Sequence, residues 1–123
     1  MKKILIADDE DEIRNLLAMA ITSRGYEVIT CADGGEALEK IKEAVPDLLI
    51  LDVMMPVIDG LHLCHQIVFE SEIYPTPKII LLTCRKEDRD KEMGANIGAD
   101  LYLTKPFSLD DIMDRVKELI GEP

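Results

Sequence analysis

Five side chains in this sequence are of types that handle phosphoryl groups together: Asp8, Asp9, Asp52, Thr83 and Lys105. Each follows or ends a short apolar run. Ile4-Leu5-Ile6-Ala7 runs into Asp8-Asp9, Leu48-Leu49-Ile50-Leu51 stops at Asp52, Ile79-Ile80-Leu81-Leu82 stops at Thr83, and Leu101-Tyr102-Leu103 leads to Lys105. Carboxylates brought together cannot all ionise comfortably without a counter-ion. A hard divalent cation such as Mg²⁺ relieves the repulsion with a few carboxylates and leaves its other positions to water or phosphate. A carboxylate is also a nucleophile able to form an acyl phosphate. Asp52, on the most apolar run, is the best candidate for that role, and Asp8 and Asp9 suit metal ligation. Lys105 would neutralise phosphoryl oxygens while the Thr83 hydroxyl donates a hydrogen bond to one.

These residues meet only if the runs are parallel strands whose ends share one edge. Between the apolar runs the periodicity changes to that of helices. Ile13, Leu16, Leu17, Ala20 and Ile21 recur at three- and four-residue spacing, predicting an amphipathic helix over about 12–24 that stops at Gly25. A β-branched strand is expected over 26–31, a turn at Asp33-Gly34-Gly35, and a second helical face at Ala37, Leu38, Ile41 and Ala44, closed by Pro46. A third helix is expected over about 61–71 and a highly charged, weak fourth over 85–96, with Gly94 near its end. Ser108 caps a fifth, whose apolar face is Leu109, Ile112, Met113, Val116, Leu119 and Ile120. Strands alternating with helices imply right-handed crossovers and a parallel sheet covered on both faces. Ligands of such sheets sit beyond the carboxyl ends of the strands, where the five residues fall.

The chain has 123 residues, which fits one domain over 1–123. Its net charge of −11 argues against direct nucleic-acid binding and against anionic membranes. No apolar run is long enough for a membrane span, and no signal peptide is readable after Met1-Lys2-Lys3. Three cysteines without a C-x-x-C pattern suggest neither a disulfide framework nor a zinc ribbon, so a reduced, cytoplasmic protein is expected.

Four ordered stretches together resemble the response-regulator receiver domain, the phosphorylatable half of two-component signalling. They are Ile4-Leu5-Ile6-Ala7-Asp8-Asp9-Glu10, Asp52-Val53-Met54-Met55-Pro56-Val57-Ile58-Asp59-Gly60, Leu81-Leu82-Thr83, and Gly98-Ala99-Asp100-Leu101-Tyr102-Leu103-Thr104-Lys105-Pro106-Phe107. The resemblance covers nearly the whole chain. It implies a flavodoxin-like α/β fold, a doubly wound five-stranded parallel sheet of strand order 2-1-3-4-5. By that resemblance Asp52 is the phosphoacceptor, Asp8 and Asp9 bind Mg²⁺ with the backbone carbonyl of Met54, and Lys105 pairs with the phosphoryl group. Thr83 is the switch hydroxyl, Tyr102 the aromatic switch residue, and Lys105-Pro106 a common place for a cis bond. The implied partner is a sensor histidine kinase or phosphotransfer protein. The output surface is the fourth helix, fifth strand and fifth helix.

Two features depart from the family pattern: Cys84 follows Thr83 where a small residue is usual, and the charged fourth helix suggests loose packing. The region 98–107 is similar to receivers of winged-helix transcription factors, which dimerise through the output surface. Lys91, Asp100, Asp111, Arg115 and Lys117 fit that charge pattern, whereas Ile97 and Leu101 replace polar partners of Arg115. A phosphorylation-dependent homodimer through this face is therefore one expectation. A single-domain regulator and a receiver joined to a DNA-binding or enzymatic output both remain open.

Other chemistries fit less well. A haloacid-dehalogenase-like phosphatase needs D-x-D after the first strand and a cap domain. A flavodoxin-like electron carrier needs a Ser/Thr/Gly-rich first loop, where this chain has the acidic run Asp8 to Glu12. That run lacks the glycine and distal glutamate of an EF-hand. No glycine motif for a nucleotide is present, and His62, Cys64 and His65 have no second ligand cluster to complete a metal site. A receiver-like scaffold acting without phosphorylation would not need the full set of site residues.

Overall fold

The structure, a computed structural model, describes residues 1–84 and 98–123. In chain order these form β1 (Lys3–Ala7), α1 (Asp11–Ser23), β2 (Glu27–Cys31), α2 (Gly34–Ala44), β3 (Leu48–Asp52) and α3 (Gly60–His65). A wider π-helical turn, Gln66–Glu70, extends α3; then come β4 (Lys78–Thr83), β5 (Leu101–Thr104) and α4 (Leu109–Ile120), the last being the fifth helix expected from sequence. The expected fourth helix over 85–96, with Gly94 and Lys91, lies outside the described residues.

The five strands form one parallel sheet in the order β2-β1-β3-β4-β5, as expected. Alternation along each strand divides the apolar side chains between two cores. Leu5, Leu49, Leu51, Ile79 and Leu81 face α2 and α3 with Ala37, Ile41, Leu63 and Ile67. Ile4, Ile6, Leu48, Ile50, Ile80 and Leu82 face α1 and α4 with Leu17, Ile21, Ile112 and Val116. All of β3 is buried, which is why it reads as continuous apolar sequence. Each fully buried Leu or Ile there stabilises the fold by roughly 1.5–3 kcal/mol, so the strand carrying Asp52 is firmly held.

Local rules set the helix ends. Asp33 caps α2 by accepting the Glu36 N–H at 2.8 Å, and Asp59 caps α3 by accepting the His62 N–H at 2.8 Å. Gly34 and Gly35, expected in a turn, are instead the first residues of α2. The reason is proximity: a Cβ on Gly34 would stand 1.9 Å from the Ile58 carbonyl oxygen, so only glycine lets α2 start against the loop after β3. Ser108 caps α4 by accepting the Asp111 N–H at 3.1 Å.

Candidate functional site

The break in strand order falls between β1 and β3, and the carboxyl ends of β1, β3, β4 and β5 meet beside it. Asp8 is the residue after β1, Asp52 ends β3, Thr83 ends β4, and Lys105 follows β5. Backbone bonds lock these ends together: the Asp8 N–H donates to the Cys31 carbonyl at 3.1 Å, Val53 to Leu82 at 2.8 Å, and Lys105 to Thr83 at 2.6 Å. Gly60 completes the cradle. A Cβ there would lie 2.3 Å from the carbonyl oxygen of Asp52, and its N–H donates to the Val53 carbonyl at 3.0 Å.

Asp8, Asp52 and Thr83 are buried, the three buried polar residues among those described. Lys105 is enclosed with them. Its Nζ donates to Asp8 Oδ2 at 3.0 Å and to Glu10 Oε1 at 3.0 Å, and lies 3.5 Å from Asp52 Oδ2. The other Asp52 oxygen, Oδ1, accepts the Met54 N–H at 3.2 Å. Asp8 Oδ1 accepts the Glu10 N–H at 2.9 Å, and Arg14 Nη1 donates to the Asp8 carbonyl at 2.8 Å, so the β1–α1 loop is fixed from both sides.

Charge is not balanced here. Burial, then the neighbouring Asp8 carboxylate, lift the Asp52 carboxyl to about 7, against the opposing pull of Lys105 and the Met54 N–H; a hydrogen bond with Asp9 raises it further. Burial works against the Lys105 charge too, but the bonds to Asp8 and Glu10 outweigh it and hold the ammonium above its ordinary range. One lysine thus serves several carboxylates. Oxygen atoms of Asp8, Glu10 and Asp52 lie within 4.8 Å of one another, a donor set that suits a hard cation. The residues present therefore fit Mg²⁺.

The structure brings Asp8, Asp52, Thr83 and Lys105 to one edge. Asp9 is exposed, although its side chain reaches Asp52. Tyr102 is half-buried against the core shared by α2 and α3, opposite Leu81 in the sheet. The Lys105-Pro106 bond is cis, as is Tyr74-Pro75. Cys84 is exposed. His62 and His65 point to acids of their own helix and its π-helical extension, Asp59 at 2.6 Å and Glu70 at 3.4 Å, while Cys64 is in the core. Glu10 is the site residue that sequence reasoning left without a role. Its signal was the Asp8-x-Glu10 spacing, which lets the Asp8 carboxylate bind the Glu10 amide.

A crest of buried carboxylates beside a lysine on a 2-1-3-4-5 parallel sheet defines a receiver domain. The chain belongs to the response regulator receiver domain family, whose model matches residues 4–117. It is 44% identical over 119 residues to the alkaline phosphatase synthesis transcriptional regulatory protein PhoP of Bacillus subtilis (strain 168), covering 97% of this chain and 48% of that protein. It is 43% identical over 119 residues to the probable transcriptional regulator ycf27 of Cyanophora paradoxa, with the same shares. The chain thus spans about half the length of these curated relatives. Among solved structures, the chemotaxis response regulator CheY4 of Vibrio cholerae superposes with a TM-score of 0.88 at 34% identity, covering 97% of this chain and 98% of that one. The receiver domain of Francisella response regulator 1452 gives 0.88 at 32% identity, covering 98% and 97%.

Proposed function

We propose that this receiver is a phosphorylation-controlled switch in which Asp52 accepts a phosphoryl group from a histidine kinase or phosphotransfer protein. The observation that carries the reading is the position of Asp52: a buried carboxylate at the end of the most protected strand, 3.5 Å from the Lys105 ammonium and within reach of other carboxylates. In the transfer an Asp52 oxygen forms a bond to phosphorus as the donor's P–N bond breaks, and the donor imidazole leaves. Lys105 supplies positive charge to the phosphoryl oxygens, and Thr83 supplies a hydroxyl donor. The rigid strand ends hold the attacking oxygen in place. Asp8, Asp9 and Asp52, with the Met54 carbonyl, would hold Mg²⁺, which when bound neutralises carboxylate and phosphoryl charge. No turnover substrate is needed beyond the phosphodonor and water, so the domain's catalysis is confined to its own phosphorylation and dephosphorylation.

Thr83 and Tyr102 are the switch pair of this reading. They sit on adjacent strands and would pass the change at Asp52 toward β5 and α4, part of the output surface. We further propose a cytoplasmic setting, supported by three free cysteines and by the absence, among the described residues, of a helix long and apolar enough to cross a membrane. The names of longer relatives support a transcriptional output carried by another part of the protein. A phosphorylation-dependent homodimer through the output surface would require rearranged charges, because Arg115 pairs internally with Asp111 and Glu118, and Lys117 with Glu122.

Intact-mass measurement after incubation with Mg²⁺ and acetyl phosphate tests the proposal. One phosphoryl adduct is expected on the wild type and none on Asp52→Asn or in chelator. An adduct on the variant, or none on the wild type with any donor, would overturn it.

A further inference from the structure

One charged side chain, Glu10, belongs to the oxygen cluster beside Asp8 and Asp52 yet has no role of its own in the phosphoryl transfer. Glu10 is the N-cap of α1, yet its side chain makes no capping bond. Its backbone is held at both ends, the N–H by Asp8 Oδ1 at 2.9 Å and the carbonyl by the Arg14 N–H at 3.0 Å. Its carboxylate turns inward to Lys105 Nζ at 3.0 Å. The Glu10 side chain is 59% exposed and that of Lys105 9%, so the pair joins a solvent-facing carboxylate to an enclosed ammonium. A lysine ammonium has three donors. Asp8 and Glu10 each take one at 3.0 Å, and Asp52 at 3.5 Å is farther than either. Lys105, a point charge on a flexible stem, is therefore drawn toward the β1–α1 loop.

We propose that Glu10 is a positioning residue that competes with the phosphoryl group for Lys105 and so sets how tightly the site holds that group. The inference rests on the phosphoacceptor reading of Asp52. A phosphoryl oxygen that draws in the ammonium must take it from Glu10 or share it, so part of the new ion pair is offset by the old one. Because Glu10 is exposed, the offset is modest. It is also specific to side-chain length: a carboxylate one methylene shorter keeps the charge but loses the reach.

The test is titration calorimetry of beryllofluoride, a phosphoryl mimic, at Mg²⁺ concentrations shown to saturate each protein. Wild type, Glu10→Gln, Glu10→Asp and Asp52→Asn are compared, with circular dichroism confirming the fold of each. Both Glu10 variants are expected to bind the mimic about fivefold more tightly than wild type, roughly 1 kcal/mol by the standard conversion. Tightening in Glu10→Gln with Glu10→Asp at the wild-type value would reduce the effect to a general field of negative charge and overturn the proposal. Unchanged or weaker binding in both variants would also overturn it. Binding by wild type but not Asp52→Asn, together with unaltered Glu10 variants, would leave the phosphoacceptor reading standing alone. Equal uptake by Asp52→Asn, or no uptake by wild type, would remove that reading and this one with it.

Discussion

Above about pH 7 Asp52 is ionised in the native site at a cost, and replacing it with Asn should remove that cost. Its side chain is 5% exposed, and burial with the Asp8 charge moves its carboxyl from an ordinary 3.8 to about 7. Each tenfold change in proton affinity is worth ~1.4 kcal/mol, so the native carboxylate is disfavoured by about 4 kcal/mol relative to the unfolded chain. Between about pH 4 and about pH 7 the unfolded chain has lost the Asp52 proton while the native site retains it. Folding then takes up a proton, and wild-type stability falls as pH rises through that window. Asn carries no such proton. It keeps the shape of the side chain and an oxygen for the Met54 N–H, and Lys105 retains Asp8 and Glu10. The advantage of Asp52→Asn should be absent below about pH 4, grow through the window, and be complete above about pH 7. Urea unfolding in chelator, followed by circular dichroism from pH 3.5 to 8.5, reads this directly. A variant less stable than wild type at pH 8, or a gain that does not vary with pH, would refute the reasoning.

Three further outcomes follow from particular contacts. Gly60→Ala, which aims a Cβ at the Asp52 carbonyl, should lose about 1–3 kcal/mol of stability in urea unfolding. Val57 is exposed and held at a φ of 71°, a conformation that costs a β-branched residue about 1–2 kcal/mol, so Val57→Asn should raise the urea midpoint by a corresponding amount. Thiol titration of the native protein should find Cys84 fast and the other two slow, because burial pushes Cys31 up to about 11 and Cys64 up to about 12; three fast thiols without denaturant would contradict that packing.

Much of the fold was legible because parallel strands buried on both faces leave an unambiguous trace, as Leu48-Leu49-Ile50-Leu51 does, and helices between them leave another. The last helix shows the clearest case: Ile112, Met113 and Val116 are buried, with Leu109, Leu119 and Ile120 packed beside them, as their spacing predicts. The third helix was less legible. Its spacing does not reveal that the turn after His65 widens into a π-helical one, which buries Ile67 and leaves Phe69 exposed. Asp8 and Asp9 are adjacent and chemically identical, and only the strand's direction of approach makes one buried and the other exposed. Glu10 was hidden for a related reason. An acid at a helix start reads as complement to the helix dipole, and its turn toward Lys105 depends on a residue 95 positions away.

The central claim is that the side chain at position 52 becomes the acyl phosphate. Borohydride reduction of the acetyl-phosphate-treated protein, followed by peptide mass mapping, tests it most directly, because reduction converts a phosphorylated aspartate to homoserine at the site of modification. Conversion at Asp52, dependent on Mg²⁺ and on the phosphodonor, is the predicted result. Conversion at Asp8, Asp9 or Asp59 with Asp52 intact would contradict the account.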